Sequence, residues 1–129
     1  MTDIKGQTIT DVRDMTDEEY DKLAWIPDNI GRATVLVLEN GVRVFAACDP
    51  EGNNAGFLNG AHRDQDELLG AVIVDIFPMN KDAVRERGWT VNAHRPAPPV
   101  LALDNERPIY PLQDGEANGP GALYYIDPQ

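Results

Sequence analysis

Residues 6–25 read GQTITDVRDMTDEEYDKLAW, and residues 70–89 read GAVIVDIFPMNKDAVRERGW. A shift of 64 residues (89 − 25) aligns the two stretches. It places five residues on identical partners: Gly6, Ile9, Asp11, Met15 and Trp25 on Gly70, Ile73, Asp75, Met79 and Trp89. Self-similarity at a fixed spacing is the signature of an internal repeat. We therefore predict that the chain contains two diverged copies of one module.

The match continues beyond the tryptophans at a shift of 65 residues (114 − 49). The identical pairs are Val35/Val100, Leu36/Leu101, Leu38/Leu103, Asn40/Asn105, Asp49/Asp114, Glu51/Glu116, Asn53/Asn118, Gly56/Gly121 and Leu58/Leu123. The extra residue falls in a polar, proline-rich stretch, where insertions are tolerated. We divide the chain into residues 1–60 and 61–129. Because each half alone would bury too little surface to be stable, we expect one compact domain that resembles a fused homodimer.

Local patterns predict the same elements in each half. The first strands are predicted at Thr8–Arg13 and Ala71–Phe77, and the second is apolar enough to suggest burial on both faces. Thr16 and Glu19 form the pattern of a capping box at the start of a helix. The aligned helix of the second half begins at an Asn80 cap and ends near Gly88.

A hairpin is predicted after each helix. In the first half Thr34–Glu39 and Val42–Ala46 flank Asn40-Gly41, a strong signal for a two-residue turn. In the second half Val100–Leu103 precedes Pro108–Pro111, whose prolines favour a sheet edge. Glycine-rich loops follow, the segment between the halves contains a candidate helical turn, and Tyr124–Ile126 is a candidate last strand. The predicted fold class is α+β: a pseudo-twofold tandem duplication of a β-α-β-β module with mainly antiparallel sheet, in which strands pair across the copies.

The second half carries a signature of its own in Gly88-Trp89, Tyr110-Pro111 and residues 118–123, NGPGAL. This pattern resembles a family of small bacterial, archaeal and phage proteins with the signature GW…YPSxDxEGNGPGAL. The first half departs from it with Ala24-Trp25 and Phe45-Ala46. The resemblance implies a repeated module, and it implies no activity because none is associated with the family.

The charge of the chain restricts its partners. The formal net charge is −11 and the sequence pI is about 4.4. Electrostatic repulsion disfavours nucleic-acid backbones and anionic membranes. The acidic surface suits a basic protein partner, cations or a high-salt cytoplasm, and ordinary acidic solubility is the alternative. The sequence shows neither a signal peptide nor an apolar stretch of membrane-spanning length, which favours a cytoplasmic protein.

Two loops are the candidate ligand sites. Asp49, Glu51 and Asn53 are repeated as Asp114, Glu116 and Asn118, with oxygen side chains at alternate positions. That spacing resembles the start of a calcium loop and makes these six residues candidate ligands for Ca²⁺ or Mg²⁺. The closing bidentate glutamate is missing, and a turn closed by its own side-chain hydrogen bonds is the alternative.

Other candidate groups are weaker. Asp11 and Asp75 are either a carboxylate pair across the pseudo-axis or residues that cap or hydrogen-bond a neighbouring loop. The aligned tryptophans are core residues or the walls of a groove. Cys48 is a lone thiol and is predicted to be buried and unreactive. His62 and His94 are predicted to be exposed without a metal-ligand partner. We find no nucleotide-binding or hydrolase motif.

Three functions are therefore open. The first is a non-catalytic binding or adaptor protein that acts through an acidic surface on a protein partner, with a phage-type inhibitor as a special case. The second is a weak divalent-cation-binding protein that uses the repeated loops. The third is an enzyme with a site near the pseudo-twofold axis, and the absence of catalytic motifs weighs against it.

Overall fold

The computed structural model describes residues 4–26, 33–61, 66–91, 96–114, 116 and 118–128. Within these ranges the chain forms β1 (Ile9–Asp14), α1 (Asp17–Leu23), β2 (Thr34–Leu38), β3 (Arg43–Ala47), β4 (Phe57–Asn59), β5 (Ile73–Pro78), α2 (Lys81–Glu86), β6 (Pro99–Leu103), β7 (Pro108–Leu112) and β8 (Ala122–Ile126). A single 3₁₀ turn at Asp66–Leu68 lies between the halves, where a helical turn was predicted. The α+β class with antiparallel sheet is confirmed at this level.

The strands form two four-stranded sheets that exchange their last members. The orders are β1-β2-β3-β8 and β4-β7-β6-β5, and every pairing between named strands is antiparallel. Strand β8 of the second half extends the sheet of the first half beside β3. In return β4 of the first half pairs with β7. The prediction that strands pair across the halves is confirmed.

The two sheets also meet where β1 and β5 begin. Thr8 and Val72 form an isolated antiparallel bridge. Gly6 donates its N–H to the carbonyl of Ile73 at 2.7 Å, and Gly70 donates to the carbonyl of Ile9 at 2.8 Å. The 64-residue shift exchanges the partners of these two bonds.

The central core lies between the sheets and draws on both halves, as predicted. Its fully buried members include Ile9, Leu36, Ile73, Leu101 and Ile109. Two smaller apolar clusters lie under the helices, one containing Trp25 and the other Trp89. Each helix therefore covers the outer face of one sheet and leaves the central core to the strands.

The prediction that the apolar strand β5 is buried on both faces is wrong. Val74 is 46% exposed and Phe77 is 44% exposed, whereas Ile73 is fully buried. Strand β5 stands at the end of its sheet. An apolar run of this kind can equally come from an edge strand that leaves one face open.

The edge position predicted for the proline-containing strand is also wrong, because β7 lies between β4 and β6. In the ladders Pro108 pairs only with Ala102 of β6, and Pro111 only with Leu58 of β4. Each proline thus has a ladder partner on one side only. A strand can tolerate a missing N–H at such a place.

The hairpin at Asn40-Gly41 exists but has a longer loop than predicted. The N–H of Leu38 donates to Val42 at 2.9 Å, and the N–H of Gly41 donates back to Leu38 at 2.8 Å. Gly41 has a φ of 86°, and Asn40 is not among the residues with positive φ. A two-residue turn of the expected type needs both central residues in that region, so the connection is a three-residue loop ending in a bulge.

The helix ends follow the predicted chemistry. Both hydrogen bonds of the Thr16–Glu19 capping box are present, and Asn80 accepts the N–H of Ala83 at 2.7 Å. Each helix terminates through a left-handed residue, Ala24 at φ 57° and Gly88 at φ 74°. An amide after each helix then bonds back into the last turn.

Two residues with left-handed backbone carry a side chain where the other half has glycine, so replacing them with glycine should stabilise the protein. Ala24 aligns with Gly88, and Glu106, at φ 69°, aligns with Gly41. A residue with a Cβ atom costs roughly 1–2 kcal/mol of stability in the left-handed region. Glycine avoids this cost but loses more conformational entropy when the chain folds, so only part of the energy is gained. We expect Ala24→Gly and Glu106→Gly each to raise the free energy of unfolding by about 0.5–1 kcal/mol in urea titrations. Glu106→Gln, which removes only the charge, should change it less; equal gains would contradict the conformational explanation.

Candidate functional site

Helix α1 presents an acidic outer face. Asp17, Glu18 and Asp21 are exposed, whereas Glu19 is buried. The capping box requires Glu19 to bend back toward the helix start, whereas the other three acidic residues of the helix point outward. Asp17 and Glu18 lie in the first turn, where the helix dipole favours negative charge. The local sequence therefore fixes both the helix and the sign of its exposed face.

The loop at Asp49 follows β3 and is closed by its own side chains. The Oδ1 of Asp49 accepts the backbone N–H of Asn53 at 3.1 Å, and its Oδ2 accepts the Asn53 side-chain amide at 2.7 Å. Burial acts to raise the pKa of Asp49, but the hydrogen bonds from Asn53 and Gly52 outweigh it and hold this pKa below its usual value. Glu51 lies exposed at the tip.

The loop at Asp114 repeats this closure. Its Oδ1 accepts the backbone N–H groups of Glu116 at 3.0 Å and of Asn118 at 3.2 Å. Its Oδ2 accepts the Asn118 side-chain amide at 2.9 Å. Both loops are therefore Asx-type turns in which the asparagine offers N–H groups to the aspartate.

This geometry favours the turn over the cation site, because a cation would have to displace the asparagine amide from each carboxylate. Among the described residues no group of three or more His, Cys, Asp or Glu side chains converges at metal-binding distance. We expect the melting temperature to be the same in millimolar Ca²⁺, in millimolar Mg²⁺ and in chelator. A rise with Ca²⁺ that Asp49→Ala and Asp114→Ala together remove would instead establish the cation site.

Trp25 and a tyrosine of the other half hold the first loop in place. The indole Nε1 of Trp25 donates to the carbonyl of Gly52 at 2.7 Å. The hydroxyl of Tyr124, on β8, donates to the carbonyl of Pro50 at 2.8 Å. Burial raises the pKa of Tyr124, and the charges of Asp49 and Glu51 raise it further. The exchanged strand thus fixes the loop beside Trp25.

The aligned tryptophans occupy comparable places as apolar residues. Trp25 packs edge-on against Phe45, with the ring centroids 5.4 Å apart. Trp89 is buried in the apolar cluster that also contains Val84 and Tyr110. Both act as core residues of the outer clusters, the first of the two interpretations open from the sequence.

The remaining candidate groups show no shared chemistry. Asp11 and Asp75 each accept the N–H of the next residue, at 2.9 Å from Val12 and 2.8 Å from Ile76, beside a register shift in their strands. Cys48 is partly buried, and burial together with the charge of Asp49 raises the pKa of its thiol. A raised pKa opposes nucleophilic use. His62 and His94 lie outside the described residues.

The sequence did not predict a buried cluster of charges in the first half. Glu19 accepts Arg13 at both oxygens, at 2.8 and 2.9 Å, and also accepts Arg43 at 2.8 Å and the N–H of Thr16 at 2.9 Å. Burial alone would raise the pKa of Glu19, but these donors lower it to about 2. In the second half the aligned residues are Phe77, Ala83 and Pro108. An ionic arrangement in one half thus corresponds to uncharged residues in the other.

Comparisons with protein-family models, with curated proteins and with solved structures found no match. The resemblance to the GW…NGPGAL signature accordingly stays a prediction. Across the described part of the chain, neither helix has the length or apolar character needed to cross a membrane.

Proposed function

We propose that the protein is a non-catalytic binding protein that holds a basic segment of a protein partner against the outer face of α1 and the adjoining loop at Asp49. The observation that carries the proposal is the outward set of carboxylates on α1, Asp17, Glu18 and Asp21. Lys22 is the only basic residue of that helix. A face of this sign attracts cationic partners and accelerates their encounter.

The acidic face is rigidly supported. Arg13 and Arg43 hold Glu19 from below, so they tie the helix to β1 and β3. Beside the helix, Trp25 bonds to the loop that carries Glu51. A surface that is already ordered loses less entropy when a partner binds, which favours recognition by a fixed charge pattern.

The duplication belongs to the same proposal. We infer a tandem repeat of one β-α-β-β module from the two sequence shifts. The reciprocal exchange of β4 and β8 supports this origin, as do the equivalent bonds Gly6–Ile73 and Gly70–Ile9. A repeated scaffold offers two helix faces that are free to diverge in charge, and the face of α1 is the acidic one.

The test uses the full chain labelled for NMR and a short, blocked peptide of alternating lysine and alanine. We expect amide shifts on α1 and in residues 49–54, with binding that weakens as salt rises. Asp17→Lys with Asp21→Lys should weaken binding by about tenfold, on the order of 1.4 kcal/mol for the pair.

The matched control carries Glu39→Lys and Glu86→Lys, which change the net charge equally at exposed positions elsewhere. It should weaken binding much less. Equal weakening by the two double variants, or shifts spread over the whole surface, would mean general attraction to an acidic protein and would overturn the proposed site.

A further inference from the structure

A shallow hollow lies beside α2, on the side of the molecule that the proposed function does not use. Its volume is about 230 Å³. Its lining combines apolar and basic side chains: Lys81, Val84, Arg85, Trp89 and Val91. Val84 and Trp89 are buried and form the floor, whereas Lys81 and Arg85 are exposed and form the rim.

A large side chain of the first half is replaced by a smaller one in the lining of the hollow. Val84 aligns with Tyr20, which is almost fully buried and whose hydroxyl accepts the N–H of Ala33 at 2.9 Å. Val84 is shorter than a tyrosine and lines the hollow.

The rim of the hollow has the opposite charge to the aligned positions of α1. Lys81 stands where the first half has Asp17, and Arg85 stands where it has Asp21. Both pairs are four residues apart and therefore lie on one face of their helices.

A third cation holds the aromatic floor. The guanidinium carbon of Arg87 lies 5.7 Å from the ring centre of Trp89 and 5.2 Å from that of Tyr110. Arg87 also donates to the Tyr110 hydroxyl at 3.0 Å and to the carbonyl of Ala83 at 2.9 Å. The same guanidinium makes both the cation–π contacts and the hydrogen bonds and so holds the Trp89 ring in place, which means that the floor is formed before any ligand arrives.

We propose that this hollow binds an acidic peptide segment of a partner protein that carries one large apolar side chain. The apolar side chain lies against Val84, Trp89 and Val91. Carboxylates of the peptide pair with Lys81 and Arg85. The site is separate from the acidic face of α1 and would give the protein a second partner of opposite charge.

The charges near the hollow decide how such a peptide is recognised. Asp82 lies 3.8 Å from Arg85, but both side chains are more than three-quarters exposed, so this pair is weak and a ligand carboxylate can replace it. Lys81 forms no salt bridge with any described residue. Repulsion from distant acids is screened within about 8 Å at physiological salt. Pairing of charges alone gives little affinity here, so burial of the apolar side chain of the peptide supplies the rest of the binding free energy.

The experiment titrates the labelled full chain with blocked peptides in which glutamates flank a central leucine. Companion peptides have serine at the centre, or lysines in place of the glutamates. We expect the Trp89 indole and the amides of α2 to shift with the leucine peptide, at least tenfold weaker binding of the serine peptide, and no such shifts with the lysine peptide. Failure of the glutamate–leucine peptide to shift these signals at low millimolar concentration would overturn the proposal.

Two variants test the two parts of the site. Lys81→Asp with Arg85→Asp should weaken the leucine peptide at least tenfold, whereas Lys5→Asp with Lys22→Asp, an equal charge change elsewhere, should weaken it far less. Val91→Ser should weaken the leucine peptide and leave the serine peptide unchanged. Equal effects of Val91→Ser on both peptides would refute the apolar contact.

Two further outcomes would assign the hollow to other occupants and overturn the proposal. Free glutamate that binds as tightly as the peptide would make it a site for small anions. Concentration-dependent self-association that Lys81→Asp with Arg85→Asp removes would make the occupant a second copy of this chain.

Discussion

Replacing Glu19 with alanine is expected to lower the free energy of unfolding by about 3–5 kcal/mol, the usual cost of removing one partner from a buried ion pair. Glu19 is only 2% exposed and receives four hydrogen bonds, three from the guanidinium groups of Arg13 and Arg43 and one from the N–H of Thr16. Without it, both arginines lose their carboxylate and the helix loses half of its capping box. Urea unfolding of the variant and the parent chain measures the loss.

The same carboxylate should make stability depend on pH in a defined window. Its pKa is about 2 in the folded chain, against an ordinary value of 4.5. A lowered pKa contributes stability that is fully present above pH 4.5 and is lost as the pH falls toward 2. This difference of about 2.5 between the two pKa values corresponds to about 3 kcal/mol, which agrees with the loss expected for Glu19→Ala. Glu19→Gln should therefore show a flatter dependence of unfolding free energy on pH between about 4.5 and 2 than the parent chain.

The second half suggests the control. It has Phe77 and Ala83 where the first half has Arg13 and Glu19. Replacing a buried ion pair with apolar residues is often neutral, so Arg13→Phe combined with Glu19→Ala should recover much of the loss. If the double variant is as unstable as Glu19→Ala alone, the cost does not come from leaving Arg13 unpaired, and the explanation by the Arg13–Glu19 ion pair is wrong.

Adding one methyl group at Gly56 or at Gly121 should cost about 3 kcal/mol of unfolding free energy, at the upper end for overpacking. A Cβ atom at either glycine would lie 2.6 Å from the carbonyl oxygens of Ala47 and of Leu112. These contacts are with backbone, which cannot turn away as a side chain can. Next to Gly56, Ala55 forms a bridge with Ala47 of β3, and next to Gly121, Pro120 forms a bridge with Leu112 of β7. A shift of the backbone at either glycine therefore disturbs both sheets.

Gly88→Ala is the matched control for these two variants. Gly88 has a φ of 74° and nothing within 4 Å of an added Cβ, so its cost is conformational alone, roughly 1 kcal/mol. Gly56 and Gly121 are not in the left-handed region, so their cost comes from packing alone. Urea titrations that give Gly56→Ala the same loss as Gly88→Ala, or a smaller one, would contradict the close packing of these segments.

Features set by neighbouring residues were predictable from the sequence. The Thr16 cap, the Asn80 cap and the hairpin at Asn40-Gly41 each depend on side chains within a few positions. Strand β4 was missed because it is three residues long, follows a glycine-rich loop and forms only when β7 of the other half is beside it.

Contacts between residues that are far apart in the sequence could not be predicted from it. Glu19 is recognisable as a capping residue, but its bond to Arg43 joins residues that only the folded sheet brings together. The change from Asp17 and Asp21 to Lys81 and Arg85 is visible once the two halves are aligned. The hollow beside them was not, because its lining residues are brought together only in the folded chain.

The exchange of β4 and β8 has a consequence for biosynthesis. Strand β3 is made early, but its neighbour β8 leaves the ribosome only after nearly all of the second half has been translated. Until then one edge of β3 is open in the nascent first half, although β2 covers the other edge, and open strand edges invite aggregation. Translation and folding of this chain are thus coupled through β8, so a premature stop before Ala122 would damage the first sheet rather than merely shorten the second half.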